Sequence, residues 1–322
     1  MLEAIRLTLA EALEADPRVV LLGADIGRLG GIFRATEGLQ KRFGPGRVID
    51  SPPAGAAGVG VAIGLALYGM RPVYEVQFAD FIHPAFNQIV NEAARICYRS
   101  NGAWTVPLVI RAPFGGGEGG GLYHSQSVEA FFAHVPGLKV IIPSNPSDAA
   151  GLLKAAIEDP NPVIFLEPRA GYRALRGPVP EERGEAQIGQ ARVSRPGGDL
   201  TLISYGMMHE YALQAAGLLA IDGIDAEVVD LRTLSPLDRG CILGSVRKTG
   251  KALIVHEDNL TCGFGAEVAA LIADEAFTDL DGPVRRLAGP DVPAVPFSRS
   301  MEAWYLIGPE KIAAAARELA NY

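Results

Sequence analysis

Runs of Val, Ile and Leu alternate along the chain with stretches whose apolar residues recur every three or four positions. In the first half, 19–23, 71–78, 107–111, 138–143 and 162–167 read as strands, and 55–67, 81–100 and 146–158 as helices. The last helix opens on Asn145-Pro146-Ser147-Asp148, a start signal in which a side-chain acceptor precedes the first apolar position. These strands are apolar throughout rather than alternating. That pattern predicts a mostly parallel sheet covered on both faces by helices.

From 169 to 199 the periodicity weakens, and Pro178, Pro180, Pro196 and several glycines interrupt a charged stretch, which reads as a linker. The alternation then resumes. Strands are predicted at 201–205, 226–231 and 251–256, and helices at 209–220, 237–246, 265–275 and 309–320. The expected fold class is α/β with two doubly wound domains: one over 1–180, a linker over 181–198, and a smaller domain over 199–322.

Composition narrows the partners. The chain has 322 residues and a formal net charge of -8 without a basic tract, so nothing electrostatic draws it to nucleic acid or to an anionic membrane. No run of about 18 apolar residues suggests a membrane span. The opening MLEAIRLTLAEALEADPRVV has the pattern of an amphipathic helix containing acids, not of a signal or transit peptide. Cys97, Cys241 and Cys262 are scattered and odd in number, which suggests neither a disulfide framework nor a zinc site and fits a reducing cytoplasm.

Two glycine-rich segments carry candidate chemistry. Gly58-Val59-Gly60-Val61-Ala62-Ile63-Gly64 imitates a dinucleotide fingerprint, but its spacing is one residue too long and no long strand precedes it. Close helix packing explains it better than a nicotinamide cofactor. The run 115–121, GGGEGGG, has no apolar face and leads directly into Leu122-Tyr123-His124-Ser125-Gln126-Ser127. It reads as a loop able to order around a ligand. The remaining histidines show no metal-like spacing; His134 reads as structural and His256 as a strand-end residue facing the domain cleft.

Several segments together resemble one family. They include Val76-Gln77-Phe78-Ala79-Asp80-Phe81-Ile82, Tyr98-Arg99-Ser100, the Tyr123-His124-Ser125-Gln126-Ser127 run with Glu129 to His134 after it, Asp230-Leu231-Arg232-Thr233 and Lys248-Thr249-Gly250. In order and without large gaps, they are similar to the beta subunits of 2-oxo acid dehydrogenases, most of all the branched-chain members. The resemblance implies a transketolase-like pyrimidine-binding domain followed by a transketolase C-terminal domain, and oxidative decarboxylation of a 2-oxo acid with acyl transfer to lipoyl.

It also implies thiamine diphosphate held between subunits of an α2β2 heterotetramer that docks on a lipoyl acyltransferase core. The alpha subunit would supply the Gly-Asp-Gly element for magnesium and the diphosphate; no Gly-Asp-Gly occurs in this chain. By the same resemblance His124 is the catalytic histidine near the reacting carbon, Gln77 and Phe81 line the aminopyrimidine pocket, and carbonyls of Ala156, Asp159 and Asn161 form a potassium site.

The chain departs from the family at three acids. Where the family has Asp-Thr-Pro-Leu-Ser-Glu-Ala, the sequence is Asp50-Ser51-Pro52-Pro53-Ala54-Gly55-Ala56. Gly55 thus stands at the cofactor-binding position whose carboxylate activates thiamine by bonding a pyrimidine nitrogen. Ala24 and Asn87 replace two further acids of an interior acidic channel. Three readings follow: an active subunit with altered thiamine activation, a non-catalytic beta-like subunit kept for assembly or regulation, and an enzyme repurposed for another thiamine-dependent acyl transfer.

Overall fold

The computed structural model describes residues 1–178 and 186–322. The chain clusters into two compact units, the first made of Met1–Phe114 with Phe131–Ile188 and the second of Gly115–Ala130 with Gly189–Tyr322.

The first unit begins with α1 (Leu2–Ala15) and β1 (Val19–Gly23), then α2 (Leu39–Phe43), β2 (Val48–Asp50), α3 (Gly55–Leu67) and β3 (Arg71–Glu75). After irregular helix come α4 (Ile96–Arg99) and β4 (Val109–Phe114); α5 (Glu129–Ala133), whose first two residues group with the second unit, β5 (Lys139–Ile141), α6 (Pro146–Glu158), β6 (Val163–Pro168) and α7 (Gly171–Ala174) follow. The strands are parallel and lie in the order β5-β6-β4-β3-β1-β2. Every residue of β1, β4 and β6 is buried, the mutually paired Arg111 and Glu167 included. Helix α1 packs against α6 over one face. From β1 the chain moves outward to β2 and then returns past β1 to β3, so the β1–β3 boundary is a topological switch point.

The second unit contains β7 (Arg192–Arg195), β8 (Leu200–Ser204), α8 (Met207–Ile221), β9 (Ala226–Asp230), a short β10 (Thr233–Ser235), α9 (Arg239–Thr249) and β11 (Ala252–Asn259). It ends with α10 (Gly265–Glu275), β12 (Arg285–Gly289), α11 (Arg299–Tyr305) and α12 (Pro309–Ala320). Its sheet runs β12-β11-β8-β9-β7, parallel except for the β7–β9 pair. The switch point here is between β8 and β11. No helix among the described residues is long and apolar enough to cross a membrane.

Three features differ from the sequence reading. Residues 115–130 group with the second unit although they precede β5. Part of the stretch read as linker, 192–195, is strand β7; the rest of that linker falls partly at 179–185, outside the described residues. The single helix expected over 81–100 is instead a 3-10 segment (Ala79–Ala85), a π-helical turn (Gln88–Ala93) and α4. Pro84 explains the break, because it brings no N–H to an α-helical ladder and crowds the preceding turn.

Candidate functional site

In doubly wound sheets, ligands bind outside the carboxyl ends of strands at the switch point. In the first unit that place is just beyond β1 and β3, where Gln77 and Phe81 follow β3. Asp25 follows β1 in a left-handed conformation, φ 62°, and its carboxylate accepts a hydrogen bond from Gln77 Nε2 at 3.2 Å. Gln77 follows β3, so the bond ties the two strand ends together and fixes the amide's orientation. Ala24, beside Asp25, is buried.

Phe81 lies on the 3-10 segment with 40% of its surface exposed. Its edge-to-face partner is Phe78, at 5.6 Å between centroids, and Phe78 in turn meets Phe33 at 5.4 Å. Gly55 opens α3 next to this segment. A Cβ added there would lie 3.5 Å from the Phe81 carbonyl oxygen and 3.7 Å from Ala85 Cβ, ordinary contact distances. Space therefore does not impose glycine at 55. Gly58 is the opposite case: a Cβ would collide with the Tyr74 ring, so this glycine serves close helix–strand packing. Asn87, the third acid-to-neutral position, is exposed and accepts from Asn91 Nδ2 at 2.7 Å.

Behind the strand ends, a buried ionic cluster crosses the sheet. Arg111 on β4 donates from Nη1 to Glu75 Oε2 at 2.9 Å, and from Nε and Nη2 to Glu167 at 2.7 and 2.9 Å. Tyr172 donates to Glu167 as well. Burial pushes the Glu75 carboxyl above its ordinary value, whereas Arg111, despite its burial, is held charged by Glu167 and Glu75. Single charges in such a place would be costly; the bidentate geometry satisfies them together.

In the second unit, His124 is half-buried and caps the 3-10 turn Gly121–Tyr123, its backbone N–H donating to Gly121 O at 3.5 Å. The loop containing it closes where Gly115 N–H donates to Gln126 O at 3.2 Å. Glu129, just beyond, is fully buried and accepts from Tyr205 Oη at 2.9 Å. Burial, reinforced by the nearby Asp258 charge, drives its carboxyl well above the ordinary range. Asp258, at the carboxyl end of β11, is pushed up by burial to about 6. The switch point of this unit thus gathers Tyr205, Glu129, Glu257 and Asp258, and burial raises the carboxyls of Glu129 and Asp258. The sequence reading passed over them, because single acids at strand ends look like solvated surface.

His256 needs correction. It is not a strand-end residue in a cleft but a fully buried ring inside β11, stacked on Tyr205 at 6.5 Å and flanked by Gly263 and Gly265, where any Cβ would strike it. Burial pulls its imidazole down to about 4, so it is neutral. His134, read as structural, is exposed.

The residues read as a potassium site have neighbouring cations. Ala156, Asp159 and Asn161 do converge at the end of α6, but Arg71 Nη1 donates to the carbonyls of Ile157 at 2.7 Å and Asp159 at 3.3 Å. Lys139 Nζ binds the Asp159 carboxylate at 2.7 Å, and Asn161 N–H donates to the same carboxylate at 2.9 Å. Two fixed cations, Arg71 and Lys139, thus stand at this corner. Among the described residues no group of His, Cys, Asp and Glu is placed to hold a metal ion.

Comparison with known proteins matches residues 1–174 to the transketolase pyrimidine binding domain and residues 189–312 to the transketolase C-terminal domain. The chain is 53% identical over 321 residues to the 2-oxoisovalerate dehydrogenase subunit beta of Bacillus subtilis (strain 168), covering 100% of this chain and 98% of the relative. It is 48% identical over 304 residues to the pyruvate dehydrogenase E1 component subunit beta of the same organism, covering 94% and 93%. Among solved structures it resembles a split gene transketolase described as an inactive beta4 tetramer, with TM-score 0.79 and 27% identity over 99% of this chain and 97% of that one.

Proposed function

From a chain that belongs to the family of thiamine-diphosphate-dependent 2-oxo acid dehydrogenase beta subunits, we infer a beta subunit of a branched-chain 2-oxo acid dehydrogenase with altered cofactor activation. The observation that carries the class is 53% identity along the whole chain to a 2-oxoisovalerate dehydrogenase subunit beta. The observation that carries the alteration is Gly55.

The residues present fit part of the cofactor. Phe81 offers an exposed aromatic face suited to a pyrimidine, and Gln77, oriented by Asp25, offers a fixed amide for its polar edge. Thiamine diphosphate supplies, when bound, the carbon nucleophile for decarboxylation. His124 gives or takes a proton as the acyl group passes to a lipoyl arm, a task suited to imidazole near neutral pH. Gly55 has no carboxylate to bond a pyrimidine nitrogen, so that proton relay runs slowly; losing one placed acid–base group typically costs about 10²–10⁴-fold. The diphosphate and magnesium fall to an alpha subunit in an α2β2 assembly, which in turn serves a lipoyl acyltransferase core. A potassium ion at the carbonyls of Ala156, Asp159 and Asn161 would share the end of α6 with Arg71.

A second reading, a non-catalytic subunit kept for assembly, draws on the same absence of the acid at Gly55, with Ala24 and Asn87 beside it. Calorimetric titration of the co-expressed assembly with thiamine diphosphate and Mg²⁺ separates the two. Saturable binding is expected; absence of binding overturns the enzymatic reading in favour of assembly.

A further inference from the structure

The glycine-rich run 115–121 is held by its own unit in a specific way. Gly115, Gly117, Gly119 and Gly121 have φ of 86°, 99°, 66° and 60°, so left-handed residues recur at every second position. Alternating handedness turns successive backbone N–H groups to one side and makes a concavity that attracts an anion. Here the anions are side chains of the same unit. Gly117 N–H donates to Glu302 Oε1 at 2.9 Å, and Gly119 N–H is shared between Oε1 and Oε2 at 3.2 and 3.1 Å. Gly116 N–H donates to Glu257.

Glu302 belongs to α11 and is only 6% exposed, so its carboxylate is shielded from competing water. The Phe297 ring, just before the same helix, packs on Gly121 with a distance of 3.1 Å from an added Cβ to Cδ2. Gly121 is the first residue of the turn that His124 caps. The chain of contacts therefore leads from the Glu302 carboxylate through two amides to the turn and on to His124. Any side chain at 115 would meet the Glu257 carboxylate at about 3 Å, so the glycine there permits the grip.

We propose that Glu302, assisted by Glu257, is a positioning residue: its carboxylate fills the amide nest of the 115–121 loop and thereby sets the place of His124. The inference rests on the role given above to His124, but the clasp itself can be measured without it. Hydrogen–deuterium exchange of the chain should show the segment 115–124 exchanging about 10–100-fold faster in Glu302→Ala. That is the loss expected when charge-assisted hydrogen bonds to buried amides are removed. Glu302→Gln keeps one acceptor oxygen but turns an N–H toward Gly119, so it should fall between the two.

In the assembly with an alpha subunit, Glu302→Ala should lower kcat by about 10- to 10²-fold, with little change in KM for the 2-oxo acid, and Glu302→Gln should restore part of it. Unchanged exchange in the alanine variant overturns the proposal. So does faster exchange spread over the whole second unit, or local exchange with kcat within twofold of the parent. A parent assembly with no activity defeats the functional reading instead, and exchange confined to 115–124 would still support the clasp.

Discussion

Asp258 and His256 sit two residues apart on β11 and respond to burial in opposite directions. Asp258 keeps its proton up to about 6, against 3.8 for the exposed group. Between those values the unfolded chain ionises while the folded chain does not, so its share of stability is present below about 4 and is lost as pH rises to 6. The difference corresponds to roughly 3 kcal/mol at most. His256, pulled from 6.5 to about 4, contributes stability that is present above 6.5 and lost as pH falls toward 4. In the parent the two trends partly cancel over the same window. Asp258→Asn retains the acceptor for Asn259 N–H, now at 2.8 Å, but has nothing to titrate. Thermal melts at a series of pH values should therefore show the variant gaining on the parent between pH 4 and 6, with a level gap above that. A constant difference across the series would contradict the assignment of a raised carboxyl to Asp258.

At the scale of elements, local signals dominated wherever one residue type satisfies one backbone requirement. Helix α6 starts where Asn145 predicts: its Oδ1 accepts from Asp148 N–H at 2.9 Å, with Pro146 at the first position, where no intrahelical donor is needed. Asn145→Ala should lower stability by about 1 kcal/mol in denaturant titration, with α6 still formed; no change would mean that packing on α1 alone sets the boundary.

Strands β1, β4 and β6 were legible because burial on both faces leaves runs that are apolar but for Arg111 and Glu167. Strands β7 and β12 were not, since their residues are mostly half-exposed at the sheet edges and carry no such run. The irregular helix between Ala79 and Ala93 was missed because its apolar spacing looks helical, and only Pro84 announces the break. That break sets Phe81 on its 3-10 segment. At the candidate site, Gln77, Phe81 and His124 could be named from motif resemblance, and Gly55 from the departure from it. Glu302 could not be named, because it is 183 residues from Gly119 and nothing local marks a carboxylate that will fill a distant nest.

At the scale of the molecule, each unit places its chemically distinctive residues at the switch point of its own sheet. The first offers Asp25, Gln77, Phe81 and Gly55; the second offers the loop with His124 and the acids Glu129 and Asp258, whose carboxyls burial raises. What separates this chain from the usual family pattern is a side chain that the backbone would accept. At Gly55, an added Cβ meets only ordinary contacts, and a glutamate there enters the first turn of α3, where a negative charge is favoured.

Gly55→Glu should accordingly fold with unchanged or higher melting temperature, so a change in rate reports on chemistry. The deciding measurement is the decarboxylation rate of 2-oxoisovalerate by the assembly with an alpha subunit, parent beside Gly55→Glu. A rise of about 10²-fold or more in kcat is predicted, the range of one restored proton-transfer group. A variant that folds, binds cofactor and turns over no faster than the parent would contradict the claim that Gly55 limits this subunit.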